Sequence, residues 1–231
     1  MVLALLLKPQ KCPLCKRFSA KGAVCNTCKE KMRFVYDPFC IVCNKDALEG
    51  RTHINCYTRF KPEMLITPFY YEGYIRNLIL KAKYAKKFKD VKEIVKYVLT
   101  FKELFNLHWI TNDFVVTSIP ADKERYKKRG FNLPEIIAKE LAKKLNLKYD
   151  GNILFKTKST PSLTSKRKKE RIKDVKGVFA VSKGEIPNKI ILVDDIVTTG
   201  ATLLECSKIL KKNRCKEIIC FALAYKKINK S

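Results

Sequence analysis

The spacing of apolar positions changes near residue 60, from short runs broken by cysteines to longer periodic stretches. Beyond Pro62, apolar residues at helical spacing with lysines between them predict helices within Tyr74–Leu80 and Val91–Leu99. A further amphipathic helix is predicted over Pro134–Leu145, because a proline suits the first turn of a helix and an apolar stripe follows it.

Three continuous apolar runs predict buried strands. They cover Phe114–Pro120, Lys189–Asp194 and Ile218–Tyr225, and the second is followed by a turn and a helix predicted over Ala201–Lys212. Alternation of strands and helices predicts a parallel sheet with helices on both faces. We therefore expect an α/β domain over residues 61–231 and a separate small module over residues 1–60.

No stretch is long and apolar enough to predict a membrane span. The run Val2–Leu7 is apolar but short, and it lacks the preceding cations and the following cleavage site of a signal peptide. It is interpreted as the start of a strand or helix. We expect a cytoplasmic protein.

The net charge of +27, from 49 Lys and Arg against 22 Asp and Glu, is spread over the whole chain. Such a positive field attracts polyanions and speeds their encounter. A general lysine bias of the source proteome would give the same number, so charge alone does not identify a nucleic-acid partner.

Seven of the ten cysteines lie before residue 57, and together with one histidine they form four pairs separated by two residues. Eight ligands in closely spaced pairs are what two tetrahedral zinc sites require. The predicted ligands are Cys12, Cys15, Cys25, Cys28, Cys40, Cys43, His53 and Cys56. Consecutive pairs or alternating pairs could share an ion, and His53 could instead be an ordinary loop histidine.

Two other uses of paired cysteines are less consistent with this sequence. A disulfide framework needs an oxidising compartment, and a thioredoxin-like redox pair occurs once rather than three times in succession. A closed site of four protein ligands leaves no position for a substrate, so the predicted zinc is structural rather than catalytic.

A phosphate-binding turn is predicted after the second strand, which ends at Asp194 and Asp195. Small and hydroxylated residues lead from there into a helix N-terminus, where backbone N–H groups and the helix dipole suit a phosphate. The two carboxylates suit vicinal hydroxyls and a divalent cation, which together indicate a phosphorylated ribose. The predicted ligand-binding residues are Asp194, Asp195, Thr198, Thr199, Gly200, Ala201 and Thr202.

The stretch from Ile190 to Leu203 resembles the signature of type I phosphoribosyltransferases. The resemblance implies that the two aspartates hold the ribose hydroxyls of 5-phosphoribosyl-1-pyrophosphate (PRPP) and that Thr198 to Thr202 hold its 5-phosphate. It also implies Mg²⁺, with pyrophosphate near the loop after Ser118–Pro120. No general base or other catalytic residue is identified.

The whole chain resembles the ComF family of competence proteins. Lys83-Tyr84, Arg129-Gly-Phe-Asn132 and the segment from Arg171 to Phe179 match its motifs, although Asp174 replaces an asparagine. His53 stands where relatives commonly have cysteine. The resemblance implies a type I phosphoribosyltransferase fold behind a zinc ribbon, a role in natural transformation, and other DNA-uptake or recombination proteins as partners.

Two basic clusters favour single-stranded DNA as a partner. The first is interpreted as a loop around Tyr126, and the second precedes Val175. Arginines next to aromatic rings suit backbone tracking with base stacking, although a solvated loop would look the same. The predicted contacts are Lys123, Arg125, Lys127, Lys128, Arg129, Lys166, Arg167, Lys168, Lys169 and Arg171.

Two rival functions remain on sequence grounds. An active phosphoribosyltransferase would displace pyrophosphate with a base or amine, and the same cations would stabilise the departing charge. A zinc-ribbon adaptor for other proteins would account only for residues 1–60.

Overall fold

The computed structural model describes residues 11–12, 14–19, 24–100, 110–158 and 174–227. Its strands are β1 (Met64–Ile66), β2 (Phe69–Tyr70), β3 (Phe114–Ser118), β4 (Lys148–Tyr149), β5 (Leu154–Lys156), β6 (Phe179–Val181), β7 (Lys189–Val197) and β8 (Glu217–Tyr225). Its helices are α1 (Asn26–Glu30), α2 (Gly73–Ala85), α3 (Phe88–Leu99), α4 (Lys123–Arg129), α5 (Leu133–Leu145) and α6 (Ala201–Lys212).

Within these ranges, six parallel strands form the main sheet, in the order β1-β8-β7-β3-β4, with β2 also paired to β8. The strands β5 and β6 form a separate antiparallel pair. The predicted parallel sheet is therefore confirmed. None of the described helices combines the length and apolar character that a membrane span requires.

The sheet has a core on each face, because successive side chains of a strand point to opposite sides. On β7, Ile191 and Val193 pack into one core with α2, α3 and α5. Ile190 and Leu192 pack into the other with α6 and the β5–β6 pair. Both cores consist of apolar side chains removed from water, the main favourable contribution to folding.

The N-terminal module is part of both cores. Cys12, Leu14 and Met32 pack into the core beneath α2. Phe39 and Ile41 pack into the core on the opposite face. The module thus packs against both faces of the sheet and is not joined to the body through a linker alone.

The predicted helices and central strands agree with the structure, with two differences. The sequence predicts a loop for Lys123–Arg129, whereas these residues form α4. The Asp122 side chain accepts a hydrogen bond from the Glu124 N–H at the start of α4, and Gly130 (φ 77°) ends it. The strand predicted to end at Asp194 continues to Val197, because it stays paired with β8 as far as Tyr225.

Candidate functional site

The two adjacent carboxylates lie on opposite faces of the sheet. Asp194 follows Ile190 and Leu192 in the alternation of β7, so it lies on the α6 face, and Asp195 lies on the α2 face. The backbone N–H of Asp195 donates to the Asp194 carboxylate at 2.8 Å. Both residues are partly exposed near the carboxyl end of β7, where ligands bind in open parallel sheets.

Lys83 of α2 pairs with Asp195. Its Nζ lies 2.6 Å from the Asp195 carboxylate, and its side chain is only 18% exposed. Burial opposes the charge of Lys83, but the carboxylates of Asp195 and Asp194 outweigh it, so the pKa of Lys83 is raised. The predicted ribose carboxylates therefore have a cation of the protein beside them.

Asp194 titrates near neutrality. Burial is the main cause that raises the pKa of Asp194, to about 7, and the neighbouring charge of Asp195 adds to it. The Asp195 N–H and the charge of Lys83 oppose this shift. A carboxylate held near its titration point takes up or releases a proton when a cation or hydroxyl arrives.

The loop between β7 and α6 is held by a hydrogen bond of its own and by a glycine with positive φ. Thr199 is buried, and its hydroxyl accepts a hydrogen bond from the Ala201 N–H at 3.3 Å. Gly200 has φ of 72°, which favours glycine, and it precedes the first turn of α6. Thr198 and Thr202 are less buried, so their hydroxyls are the more accessible donors of the loop.

A cavity of about 630 Å³ opens beside the loop that follows β3. It adjoins Ser118 and Pro120, where the resemblance implies pyrophosphate, and Lys123 and Lys127 of α4 line it. The cavity is also lined by side chains that the sequence did not indicate for binding: Glu135, Lys139, Tyr149 and Asn152.

A buried ion pair fixes the end of this loop. Lys156 of β5 lies 3.3 Å from Asp122, and the two side chains are 10% and 4% exposed. Burial lowers the pKa of Lys156, although Asp122 opposes the shift. Since Asp122 also caps α4, the ion pair connects the β5–β6 pair to the start of that basic helix.

The eight predicted metal ligands form two groups of four. In each group the ligand atoms lie within 4.8 Å of one another. Consecutive pairs share a group, so the structure favours this arrangement over alternating pairs. The groups are Cys12, Cys15, Cys25 and Cys28, and then Cys40, Cys43, His53 and Cys56.

The geometry of both groups fits a tetrahedral thiophilic ion. Cys12 and Cys28 have their sulfurs 3.8 Å apart, close to the roughly 3.8 Å that follows from zinc–sulfur bonds of about 2.3 Å. His53 Nδ1 lies 3.3 Å from the Cys43 sulfur, while its Nε2 lies 2.9 Å from the Asp46 carbonyl oxygen. A proton on Nε2 would leave Nδ1 free for a metal, the usual outer-shell arrangement of a ligating histidine.

The first basic cluster presents an exposed cationic face. On α4, Lys123, Lys127 and Lys128 are exposed, and Tyr126 is 48% exposed. The helix also carries Arg125 and Arg129, and it ends in three consecutive cations. The second cluster, Lys166, Arg167, Lys168, Lys169 and Arg171, lies outside the described residues.

An exposed aromatic ring next to α4 belongs to Tyr84, whereas the ring of Phe131 is packed inside. Tyr84 is 73% exposed, and the Arg129 guanidinium lies 5.4 Å from its ring centre. Phe131 packs edge-on against Phe88, with ring centres 4.6 Å apart, and joins the core beneath α2. The motifs that begin at Lys83 and at Arg129 are therefore neighbours in space.

Comparison with known proteins identifies both parts of the chain. Residues 127–231 match the phosphoribosyl transferase domain, and residues 2–57 match the double zinc ribbon domain. The chain is 27% identical to competence protein F of Haemophilus influenzae over 212 residues, covering 89% of this chain and 91% of that protein. Fold and site together define a phosphoribosyltransferase-type domain behind a double zinc ribbon.

Two further relatives are similar over most of their length. The DNA utilization protein YhgH of Escherichia coli is 25% identical over 217 residues, covering 90% of this chain and 94% of that protein. Competence protein ComFC of Bacillus subtilis is 27% identical over 209 residues, with coverages of 87% and 83%. The chain is a homologue of these competence and DNA utilization proteins, and the resemblance to the ComF family is confirmed.

Proposed function

We propose that this protein acts in DNA uptake in the cytoplasm, binding single-stranded DNA and PRPP through its phosphoribosyltransferase-type domain. The observation that carries the proposal is the site at the carboxyl end of β7, where Asp194, Asp195 and the loop to α6 lie together. The names of the relatives, competence protein and DNA utilization protein, support the cellular role.

In this proposal the end of β7 and the loop that follows it divide the recognition of the ligand. Asp194 and Asp195 accept hydrogen bonds from the ribose hydroxyls, and Thr198 to Thr202 donate to the 5-phosphate. Lys83, now paired with Asp195, can move towards the pyrophosphate oxygens when the diol arrives. Mg²⁺, when bound, neutralises charge on the pyrophosphate, and carboxylate oxygens are suitable ligands for it.

We propose two structural zinc ions, one for each group of four ligands. Thiolate and imidazole donors in closed tetrahedral sets select zinc, and they leave no open position for catalysis. Reduced cysteines of this kind suit a reducing compartment, which supports cytoplasmic placement. All ten cysteines are unpaired by disulfides in the structure.

Single-stranded DNA would follow the basic face of α4. Its cations contact phosphates, and the exposed rings of Tyr126 and Tyr84 offer stacking surfaces for bases. Tyr126 borders the cavity beside the loop after β3, and the ion pair of Asp122 connects the helix to that region. DNA and PRPP sites that adjoin in this way would influence one another.

Calorimetry with PRPP and Mg²⁺ tests the ligand. The wild-type protein should bind, and Asp194→Asn with Asp195→Asn should abolish binding without unfolding the protein. Asp113→Asn, just before β3 at the amino-terminal end of the strands, serves as the matched loss of a carboxylate away from the site and should bind normally. Unchanged affinity in the double variant would show that the site is assigned wrongly.

The same samples separate a binding protein from a transferase. Pyrophosphate release is measured with PRPP, Mg²⁺ and candidate bases or amines, and DNA affinity is measured with and without PRPP. We expect a change of DNA affinity at saturating PRPP. Turnover with any acceptor would establish the enzyme instead, and DNA affinity independent of PRPP would contradict a shared site.

A further inference from the structure

The second group of metal ligands lies directly against the phosphate loop. Ile41 stands between the ligands Cys40 and Cys43, and it is fully buried. It lies against Gly200, the residue just before α6, because the atoms nearest to a Cβ built on Gly200 all belong to Ile41. The metal module therefore touches the loop that the proposed function assigns to the 5-phosphate.

Ile41 and the backbone of Gly200 are in direct contact, with no room between them for a side chain. A Cβ atom on Gly200 would come within 2.7 Å of the Ile41 Cγ1 and 3.1 Å of its carbonyl oxygen. Both lie inside ordinary van der Waals separation, so the loop backbone itself rests on Ile41. Gly200 is required here for space as well as for its positive φ.

The position of Ile41 depends on the turn that carries the ligands. Within this turn the Asn44 N–H donates to the Cys40 carbonyl at 2.8 Å, and the Cys40 N–H donates to the Lys45 carbonyl at 2.9 Å. Nearby, Phe39 packs on the Tyr225 ring with centres 4.1 Å apart, at the end of β8. A turn of this length owes its shape largely to the metal that its thiolates share.

We infer that the second metal site positions the phosphate loop, with Ile41 as the residue that transmits its shape to Gly200. The first site has no equivalent role, since Cys12 and Cys28 pack into the core on the other face of the sheet. The inference rests on the proposed function for the identity of the ligand, but the contact itself is independent of it.

Coupling between two sites is reciprocal. If metal in the second site orders the loop for a phosphate, a phosphate ligand on the loop must retain that metal more tightly. PRPP with Mg²⁺ should therefore slow the release of one zinc ion to a chromogenic chelator and leave the release of the other unchanged.

The direct test replaces Ile41 while leaving every metal ligand in place. Ile41→Ala should weaken PRPP binding by at least about fivefold, the lower end of typical couplings between sites, with zinc content unchanged. Ile54→Ala is the matched control, because Ile54 lies between ligands of the same group and is 87% exposed. Ile41→Val supplies a milder change if the alanine variant folds poorly.

A second readout needs no ligand. Hydrogen exchange of the amides of residues 198–202 is followed while zinc is withdrawn, and in the Ile41 variants with zinc bound. We expect faster exchange in both cases, and wild-type exchange in Ile54→Ala. This measurement decides the inference even if the wild-type protein binds no PRPP, an outcome that would refute only the proposed function.

Two results would overturn the inference. One is wild-type exchange of residues 198–202 in Ile41→Ala and after zinc removal. The other is PRPP affinity that stays at the wild-type value in both Ile41 variants.

Discussion

At the residue scale, the candidate site combines groups that oppose one another in charge. Asp194 and Asp195 are adjacent in the chain but lie on opposite faces of β7, so only Asp195 reaches Lys83 directly. Asp194 is left with a raised pKa of about 7. The two carboxylates of the signature therefore differ in their surroundings, although they look equivalent in the sequence.

This difference predicts a pH dependence of ligand binding. Below pH about 7, Asp194 is protonated in the ligand-free protein, whereas a ligand with Mg²⁺ and hydroxyl donors requires the ionised form. Affinity for PRPP should therefore rise with pH, approaching about tenfold per pH unit well below the pKa, and should level off above it. Calorimetry over roughly three pH units, from about pH 5.5 to about pH 8.5, brackets the pKa of Asp194 and measures the affinity for PRPP at each pH.

Two variants control the experiment. In Asp194→Asn, the remaining pH dependence of PRPP affinity should come only from the phosphates of the ligand, which have a second pKa of about 6. Lys83→Met should move the rise to higher pH, because Lys83 lowers the pKa of Asp194, whereas Lys81→Met on an exposed position of α2 should not. A profile identical in wild type and Asp194→Asn would contradict the assignment.

Single residues of the site differ in how far the sequence predicts them. Asp194, Asp195 and Gly200 follow from one continuous motif, and the structure brings them together. The sequence does not predict the pairing of Lys83 with Asp195, because the two residues are distant in the chain. Only the packing of α2 on β7 brings them into contact. Nor does any pattern indicate that Ile41 rests on Gly200.

At the scale of elements, α4 decides how DNA could be bound. As a helix it holds Lys123 and Lys127 one turn apart on the side of the cavity. Basic residues in its last turn are favourable near the negative end of the helix dipole. A helix fixes the spacing of its charges, so phosphate contacts would be made without ordering a loop first.

Replacing Lys127, Lys128 and Arg129 by alanine should weaken binding to single strands of every sequence. The slope of log affinity against log salt should shrink by about 2, from roughly 0.7 for each lost phosphate contact. Fluorescence anisotropy with labelled oligonucleotides over a range of salt concentrations gives both quantities.

The matched control removes the same charge elsewhere. Lys143, Lys144 and Lys148 are exposed at the end of α5 and the start of β4, at the amino-terminal end of the strands, whereas α4 follows the carboxyl end of β3. Their replacement by alanine should have a smaller effect on slope and affinity. Equal losses in both triple variants would show that net charge, rather than α4, accounts for binding.

The sequence predicts the long elements better than the short ones. Strands β3, β7 and β8 and helices α2, α3, α5 and α6 follow from apolar periodicity, since each buries one face or both. Helix α4 has no buried residue and hence no apolar stripe. Only Asp122 and Gly130 mark its ends, as an N-cap and a C-terminal glycine.

At the scale of the whole molecule, the metal module and the sheet share their cores. Met32 packs beneath α2, and Phe39 packs against the end of β8. Burial of this kind joins the two parts into one cooperative unit, because neither core is complete without the module.

Removal of zinc should therefore lower the stability of the entire protein. With a strong chelator, differential scanning calorimetry should show one transition shifted to lower temperature, with no second transition that keeps the original midpoint. Chelator already saturated with zinc is the control and should have no effect. A high-temperature transition that survives chelation would show that the sheet folds independently of the module.

The central place of β8 has a consequence for folding during synthesis. This strand lies between β7 and the pair β1 and β2, yet it follows all of them in the chain. Synthesis proceeds from the N-terminus, so β1 and β7 are made before β8, the strand that lies between them. The edges of β1 and β7 that pair with β8 therefore stay without a partner strand until Glu217–Tyr225 has emerged. The metal module emerges long before, so a nascent chain with bound zinc would cover part of the apolar surface of α2 during that interval.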